Sequence, residues 1–413
     1  MGTLRDVSEK LWSGEAPIEN HHPMQPLAAL EEVAERSAFI SSFANVTAVD
    51  TDEGLVLVDT GSFVLAPMVH SMVRNFTKRP LHTAVWTHGH VDHCFGVELY
   101  EAERGAPRPR VIAHERVPAR FERYRLTAGW NSCINARQFR VQVKWPETYR
   151  APDVTYADRL DVDIGGVRFE LHHARGETDD ATWVWIPARK LLCTGDFFIW
   201  AAPNAGNPQK VQRFPRDWAR ALRQMSALEA EVLCPGHGVP IFGGARVRQA
   251  LDETAELLEF LHDRTIELMN QGARLDDVIH TVEAPARLLE RPYLHPIYDD
   301  PEFVVRNVWR LYGGWWDGNP AHLQPAPAAR LADELAQAAG GAAKLAARAT
   351  ALAETGELAL ACHLAELAAQ AAPSDETIRA SRADIYRRRA EAEPSLMAKG
   401  VYRAAAEEKP RNQ

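Results

Sequence analysis

Residues 85–96 read VWTHGHVDHCFG, and within them Thr87–His93 sets three histidines and an aspartate in the pattern H-x-H-x-D-H. Crowding such groups is unfavourable by itself, because each imidazole that charges repels the next. Placed directly after the apolar run of LHTAVWTH (81–88), the pattern reads as a short buried strand that ends in a metal-binding loop. In a tight loop His88 and His90 point to one side, and Asp92 and His93 to the other. One loop then supplies half the ligands of two neighbouring metals. Zinc accepts imidazole nitrogen and carboxylate oxygen alike, at about 2.0–2.2 Å.

The same plan recurs on both sides of that loop. NVTAVDTDEGLVLVDTG (45–61) predicts two strands, Val46–Val49 and Leu55–Val58, around a polar turn, followed by a helix near Ala66–Phe76. RPRVIAHE carries His114 at a strand end, beside an aromatic and basic insertion, Arg116–Asp153, with Tyr124, Trp130 and Tyr149. VRFELHHARGETDDATWVWIP, KLLCTGDFF and EVLCPGHG each run from an apolar strand into polar residues. Strands whose C-terminal ends carry the polar chemistry predict a layered α/β fold with its site along one edge, extending to about Gly244. Beyond it Val247, Ala250, Leu251, Leu257, Leu258 and Leu261 fall at helical spacing, with Gly272 at the C-cap. A Pro- and aromatic-rich connector ending in GGWWDGNPAHLQP leads to an alanine-rich segment from Ala326, broken at Gly340–Gly341, Gly356 and Pro373.

Bulk composition narrows the function. A length of 413 residues calls for two domains, and a net charge of −9 without a basic stripe excludes a nucleic-acid partner. The five cysteines are scattered, odd in number and form no C-x-x-C pair, so they predict neither a zinc ribbon nor a disulfide framework, but a reducing compartment. The first residues lack the apolar core of a signal peptide and no run approaches the roughly 18 apolar residues of a membrane span. A cytoplasmic protein with no membrane association is the expectation.

THGHVDH, together with Asp59 in VDTG, Asp196 in CTGD and His237 in PGHG, resembles the metallo-β-lactamase superfamily, with the motifs in that family's order over Ile40–Gly244. The resemblance implies an αββα sandwich and two zinc ions, with Asp59 supporting the metal loop. His88, His90 and a third ligand would hold one ion; Asp92, His93 and His237 the other, with Asp196 between them. Relatives commonly have a histidine as that third ligand, in P-G-H-T-x-G. Here RGETDDAT puts Glu177 in its place, with His172 and His173 just upstream as alternatives. A glutamate there, and WWDGNP ahead of a helical tail, are similar to the zinc-dependent alkyl sulfatase branch, whose tail is a dimerisation domain. Iron or manganese suits the same ligand set.

That resemblance implies a binuclear hydrolase using a metal-bound hydroxide on alkyl sulfate esters, with Asp92 and Asp196 catalytic. Asn204, Lys210 and Arg213, with Arg175 a further candidate, would hold the substrate anion. The branch usually has an arginine near the sulfate, but the Gln209–Lys210 neighbourhood occupies its place, and it has A-E-N where this chain has Gly195–Asp196–Phe197. A hydrolase of another ester, a lactone or a thioester is the alternative, and a dimeric scaffold with a structural metal site a third. The expected organisation is an N-terminal extension (1–39), a catalytic domain (40–280), a connector (281–325) and an α-helical dimerisation domain (326–413). The partners expected are a small-molecule ester and a second copy of the chain.

Overall fold

The computed structural model describes residues 3–408 and divides into two compact units. The larger takes the chain up to Ala128 and then Trp145–Gly314; the smaller takes Gly129–Lys144 and the chain from Trp315 onward.

Two mixed sheets form the larger unit. The first holds β1 (Ala29–Ala34), β2 (Ser37–Ser41), β3 (Val46–Thr51), β4 (Gly54–Val58), β5 (Leu81–Val85), β6 (Arg110–His114) and β7 (Val154–Tyr156), in that order. It is antiparallel up to β4 and parallel from β4 to β7. The second holds β8 (Arg159–Ile164), β9 (Val167–His173), β10 (Thr182–Ile186), β11 (Leu191–Gly195), β12 (Val232–Pro235) and β13 (Ile241–Phe242). Here β11 and β12 are parallel and the other pairs antiparallel. Strands β2, β4, β10 and β11 are buried at every residue, so they read as continuous apolar runs with no alternation, as a sheet covered on both faces requires. Tyr156 and Thr182 hydrogen-bond across the two sheets at 2.6 Å, and Thr182 N–H donates to Thr87 O at 2.6 Å. These two sheets, with the helices of the larger unit, are the αββα sandwich that the resemblance implies, and the chain after it is helical.

Residues 1–39, expected as an extension, supply the helix Leu4–Ser13 and two sheet strands. The helix is fixed by a capping box between Thr3 and Asp6 and a left-handed Gly14 at its end. Much of the expected connector also packs within the larger unit, because the helix Pro301–Gly313 is tied to the loop after β11. A Cβ on Gly206 would lie 2.4 Å from the Phe303 backbone, and Asp299 Oδ2 accepts Gly206 N–H at 2.6 Å. In the smaller unit five helices, Ala328–Ala338, Ala342–Glu354, Leu358–Ala371, Glu376–Ala392 and Leu396–Ala406, break where the sequence places glycine or proline. The insertion is divided: Gly129–Lys144 packs on the last of these helices, where Gly400 leaves no room for a Cβ against Gln138 O. Among the described residues no helix is long and apolar enough to cross a membrane.

Candidate metal centre

The C-terminal ends of β4, β5, β9, β11 and β12 meet along one edge of the sandwich, and each delivers part of the site. Two groups of side chains assemble there: His88, His90, Glu177 and Asp196, and next to them Asp92, His93 and His237. In each group the candidate ligand atoms lie within 4.8 Å of one another. Asp196 faces both: Oδ2 is 3.6 Å from His88 Nε2, while Oδ1 is 3.3 Å from His93 Nε2 and 3.5 Å from His237 Nε2. The H-x-H-x-D-H loop therefore divides its ligands between two sites. Asp92 and His90 are each about a fifth exposed, and mark the side open to solvent.

The donor set fits a pair of metal ions. His93 Nε2, Glu177 Oε2 and Asp196 Oδ1 are buried without a hydrogen-bond partner, and all three point into the two groups. Buried polar atoms are almost always satisfied, so three orphans converging on one place indicate cations there. Burial pushes His88 down to about 3, helped by the charge of His93, and holds His90 well below its ordinary value. Both imidazoles are then neutral, as ligands must be. Burial opposes charge on His93, yet Asp196, Asp59 and Asp92 together raise it well above the usual value. Burial likewise opposes charge on Asp196, but His93 and His237 hold its carboxyl well below the usual range.

Each ligand is oriented from behind. Asp59, in the left-handed conformation at the end of β4, accepts Thr87 N–H at 2.7 Å, the Thr87 hydroxyl at 2.8 Å and His93 Nδ1–H at 2.7 Å. That leaves His93 Nε2 turned to the site, the usual arrangement behind a metal-bound histidine. His237 Nδ1 is held by the Phe43 carbonyl. Gly89 has no side chain because its Cβ would lie 3.0 Å from Arg120 Cδ and 3.1 Å from Asp180 Oδ2. Asp180 accepts Gly89 N–H at 3.2 Å and a bond from Arg120 Nε at 2.7 Å, and Arg120 keeps the Asp180 carboxyl below its usual range against its burial. Asp180 and Arg120 escaped the sequence reading. Their only signal was an acidic pair beside Glu177 and an arginine in an unassigned insertion.

Other expected residues are placed as follows. Asn204 and Arg213, expected on the substrate anion, both bond Glu177 Oε1, and Arg213 Nη1 also donates to the Glu177 carbonyl at 3.2 Å. Lys210 is partly buried, with Nζ 5.8 Å from the Trp145 ring centre; burial lowers it to about 8 and Asp92 partly restores it. Arg175 pairs with Asp217 at 2.6 Å. His172 stacks on Trp183 at 4.0 Å, and His173 stacks on His114 at 3.7 Å while bonding the Ala181 carbonyl. None of these three histidines reaches the two groups.

Residues 41–237 match the metallo-beta-lactamase superfamily and residues 274–412 the alkyl sulfatase dimerisation family. A linear primary-alkylsulfatase of Pseudomonas sp. (strain ATCC 19151) is 28% identical over 72% of this chain and 61% of its own length. An (R)-specific secondary-alkylsulfatase of Pseudomonas sp. is 26% identical over 83% and 56%. The chain thus spans somewhat over half the length of these relatives. A solved structure of a stereoselective inverting sec-alkylsulfatase from Pseudomonas sp. superposes with a TM-score of 0.84, covering 93% of this chain and 66% of the other at 24% identity, and carries the same fold.

Proposed function

Because the chain belongs to the metallo-beta-lactamase superfamily, in its alkyl sulfatase branch, we propose that it is a binuclear metal-dependent hydrolase of alkyl sulfate esters. The observation that carries the metal centre is the convergence of seven side chains on two sites, with three buried ligand atoms that make no hydrogen bond and face one another or a neighbouring ligand instead. His88, His90 and Glu177 would hold one ion, and Asp92, His93 and His237 the other, with Asp196 shared. Two such ions, zinc or in its place iron or manganese, would supply an acidified water and a Lewis acid for the ester oxygen. Asp92, about a fifth exposed on the solvent side, would orient the attacking water. Lys210 faces Asp92 and, with a value near 8, stays mostly charged at neutral pH, so it anchors the sulfate. Glu177, tied to Arg213 and Asn204 through one oxygen, keeps the other for the metal.

Metal analysis of the purified protein, combined with sulfate release from a medium-chain alkyl sulfate, tests this reading. About two ions per chain and metal-dependent sulfate release are expected. A second reading, hydrolysis of another ester, a lactone or a thioester, draws on the occupation of Asn204 and Arg213 by Glu177, which leaves Lys210 as the anchor. Turnover of a lactone panel without sulfate release would favour it and overturn the first. The helical C-terminal region is assigned to homodimer formation, and a chain ending at Pro325 is expected to sediment as a monomer or an aggregate.

A further inference from the structure

Cys193 and Cys234 are partners in the register of the parallel pair β11 and β12. Adjacent strands lie about 4.8 Å apart, inside the Cα separation a disulfide spans, and directly opposed residues project from the same face. Besides burial, Cys193 raises the Cys234 thiol and Thr47 of β3, in the other sheet, lowers it, so both stand close to it. Each cysteine is 2% exposed, so no other partner competes for them in the folded chain.

Their position matters more than their proximity. Each stands three residues before a candidate ligand, Asp196 or His237. The register is irregular between Cys193 and Gly195, just past the pair, and the strands part there after Gly236 N–H donates to Gly195 O at 2.8 Å. There is no slack beyond it: a Cβ on Gly236 would lie 2.1 Å from Asp196 Oδ1. A disulfide needs its Cβ atoms about 3.8 Å apart, closer than neighbouring strands normally set them. Closing one here draws β11 against β12 just before the two turns that carry Asp196 and His237.

We propose that Cys193 and Cys234 form a reversible disulfide that shifts Asp196 against His237 and disables the metal centre. The oxidant is a small hydroperoxide. One sulfur attacks its O–O bond and becomes a sulfenic acid, releasing water; the second thiol displaces the hydroxyl as another water while the S–S bond closes. Two electrons pass from the sulfurs to the peroxide. Burial, and then the Cys193 thiol, hold Cys234 well above its ordinary pKa, so the reaction is slow and proceeds faster at alkaline pH. A strained cross-strand bond is also easily reduced, which makes the change reversible.

The test treats the full chain with hydrogen peroxide at alkaline pH, then alkylates it under denaturing conditions. Intact mass, peptide mapping, metal content and turnover are measured. The expected result is two fewer alkyl groups than on the untreated, alkylated chain, one linked peptide joining Cys193 to Cys234, and a severalfold loss of metal and turnover restored by dithiothreitol and zinc. Cys193→Ala and Cys234→Ala are each expected to keep their metal and turnover through the same treatment. Both thiols alkylated after peroxide would overturn the disulfide, whether or not the alanine variants fold. A linked peptide with unchanged metal content would overturn its effect on the centre. Mass and metal content are read without a substrate, so failure here is distinct from failure of the sulfatase reading.

Discussion

The two halves of the candidate metal centre are braced differently. Behind His88, His90 and Glu177 stand cations: Arg213 on Glu177, and Arg120 acting through Asp180 on Gly89. Behind Asp92, His93 and His237 stand an anion, Asp59, and the Phe43 carbonyl. Burial lowers His88, with the charge of His93 adding to it, and burial lowers His90, with His88 and then Arg120 and Arg213 adding to it, whereas Asp196, Asp59 and Asp92 raise His93 against its burial. The partners behind the ligands thus differ in kind between the two groups.

The comparison breaks most completely at the shared residue. Asp196→Asn is expected to lower turnover and metal content of both halves by orders of magnitude, with the melting temperature of the metal-free protein little changed. Unaltered metal content would discard the shared-ligand assignment. Arg213→Met comes next, since it leaves Glu177 buried without its cation. A loss of about 3–5 kcal/mol in denaturant unfolding is expected, the typical penalty for breaking a buried pair. Unchanged stability with a raised KM for the sulfate would instead make Arg213 a substrate anchor.

Smaller effects separate the halves. Asp59→Asn and Asp180→Asn are each expected to weaken metal binding roughly 10–100-fold, as partners behind ligands do. Chelator competition should find Asp59→Asn weakening the half that contains His93, and Asp180→Asn the half that contains His88. The smallest effect is in the pH dependence of the metal-free fold. Below about 6.5 the unfolded chain protonates at His88 while the folded chain resists down to about 3, so this contribution is lost as pH falls through that window. His93 does the reverse: its raised value stabilises the fold below about 6.5 and the contribution is lost as pH rises through the folded value. His88→Gln should flatten the acid limb of the stability profile and His93→Gln the alkaline limb; identical profiles would refute the opposed wiring.

Much of this was legible in the chain. The strands around Asp59, the ligand loop, Asp196 and His237 announce themselves, because a buried strand followed by polar residues is a local pattern. The tail's breaks were equally plain, since glycine and proline act on their own backbone. The helix Leu4–Ser13 carried its capping signature and went unread among nearby prolines. Asn204 and Arg213 were assigned to substrate because their contacts with Glu177 join residues 27 and 36 positions away. Asp180 and Arg120 were invisible for the same reason, being 60 positions apart.

By itself the sequence determined which atoms were available to bind metal and on which strand ends they sit, because ligand chemistry and strand periodicity are written in neighbouring residues. Only the tertiary structure decided which charge stands behind each ligand, which arginine is spent on Glu177, and that two cysteines 41 positions apart lie side by side. Those outcomes depend on desolvation and on distances between separate segments, and both arise when the two sheets close on one another.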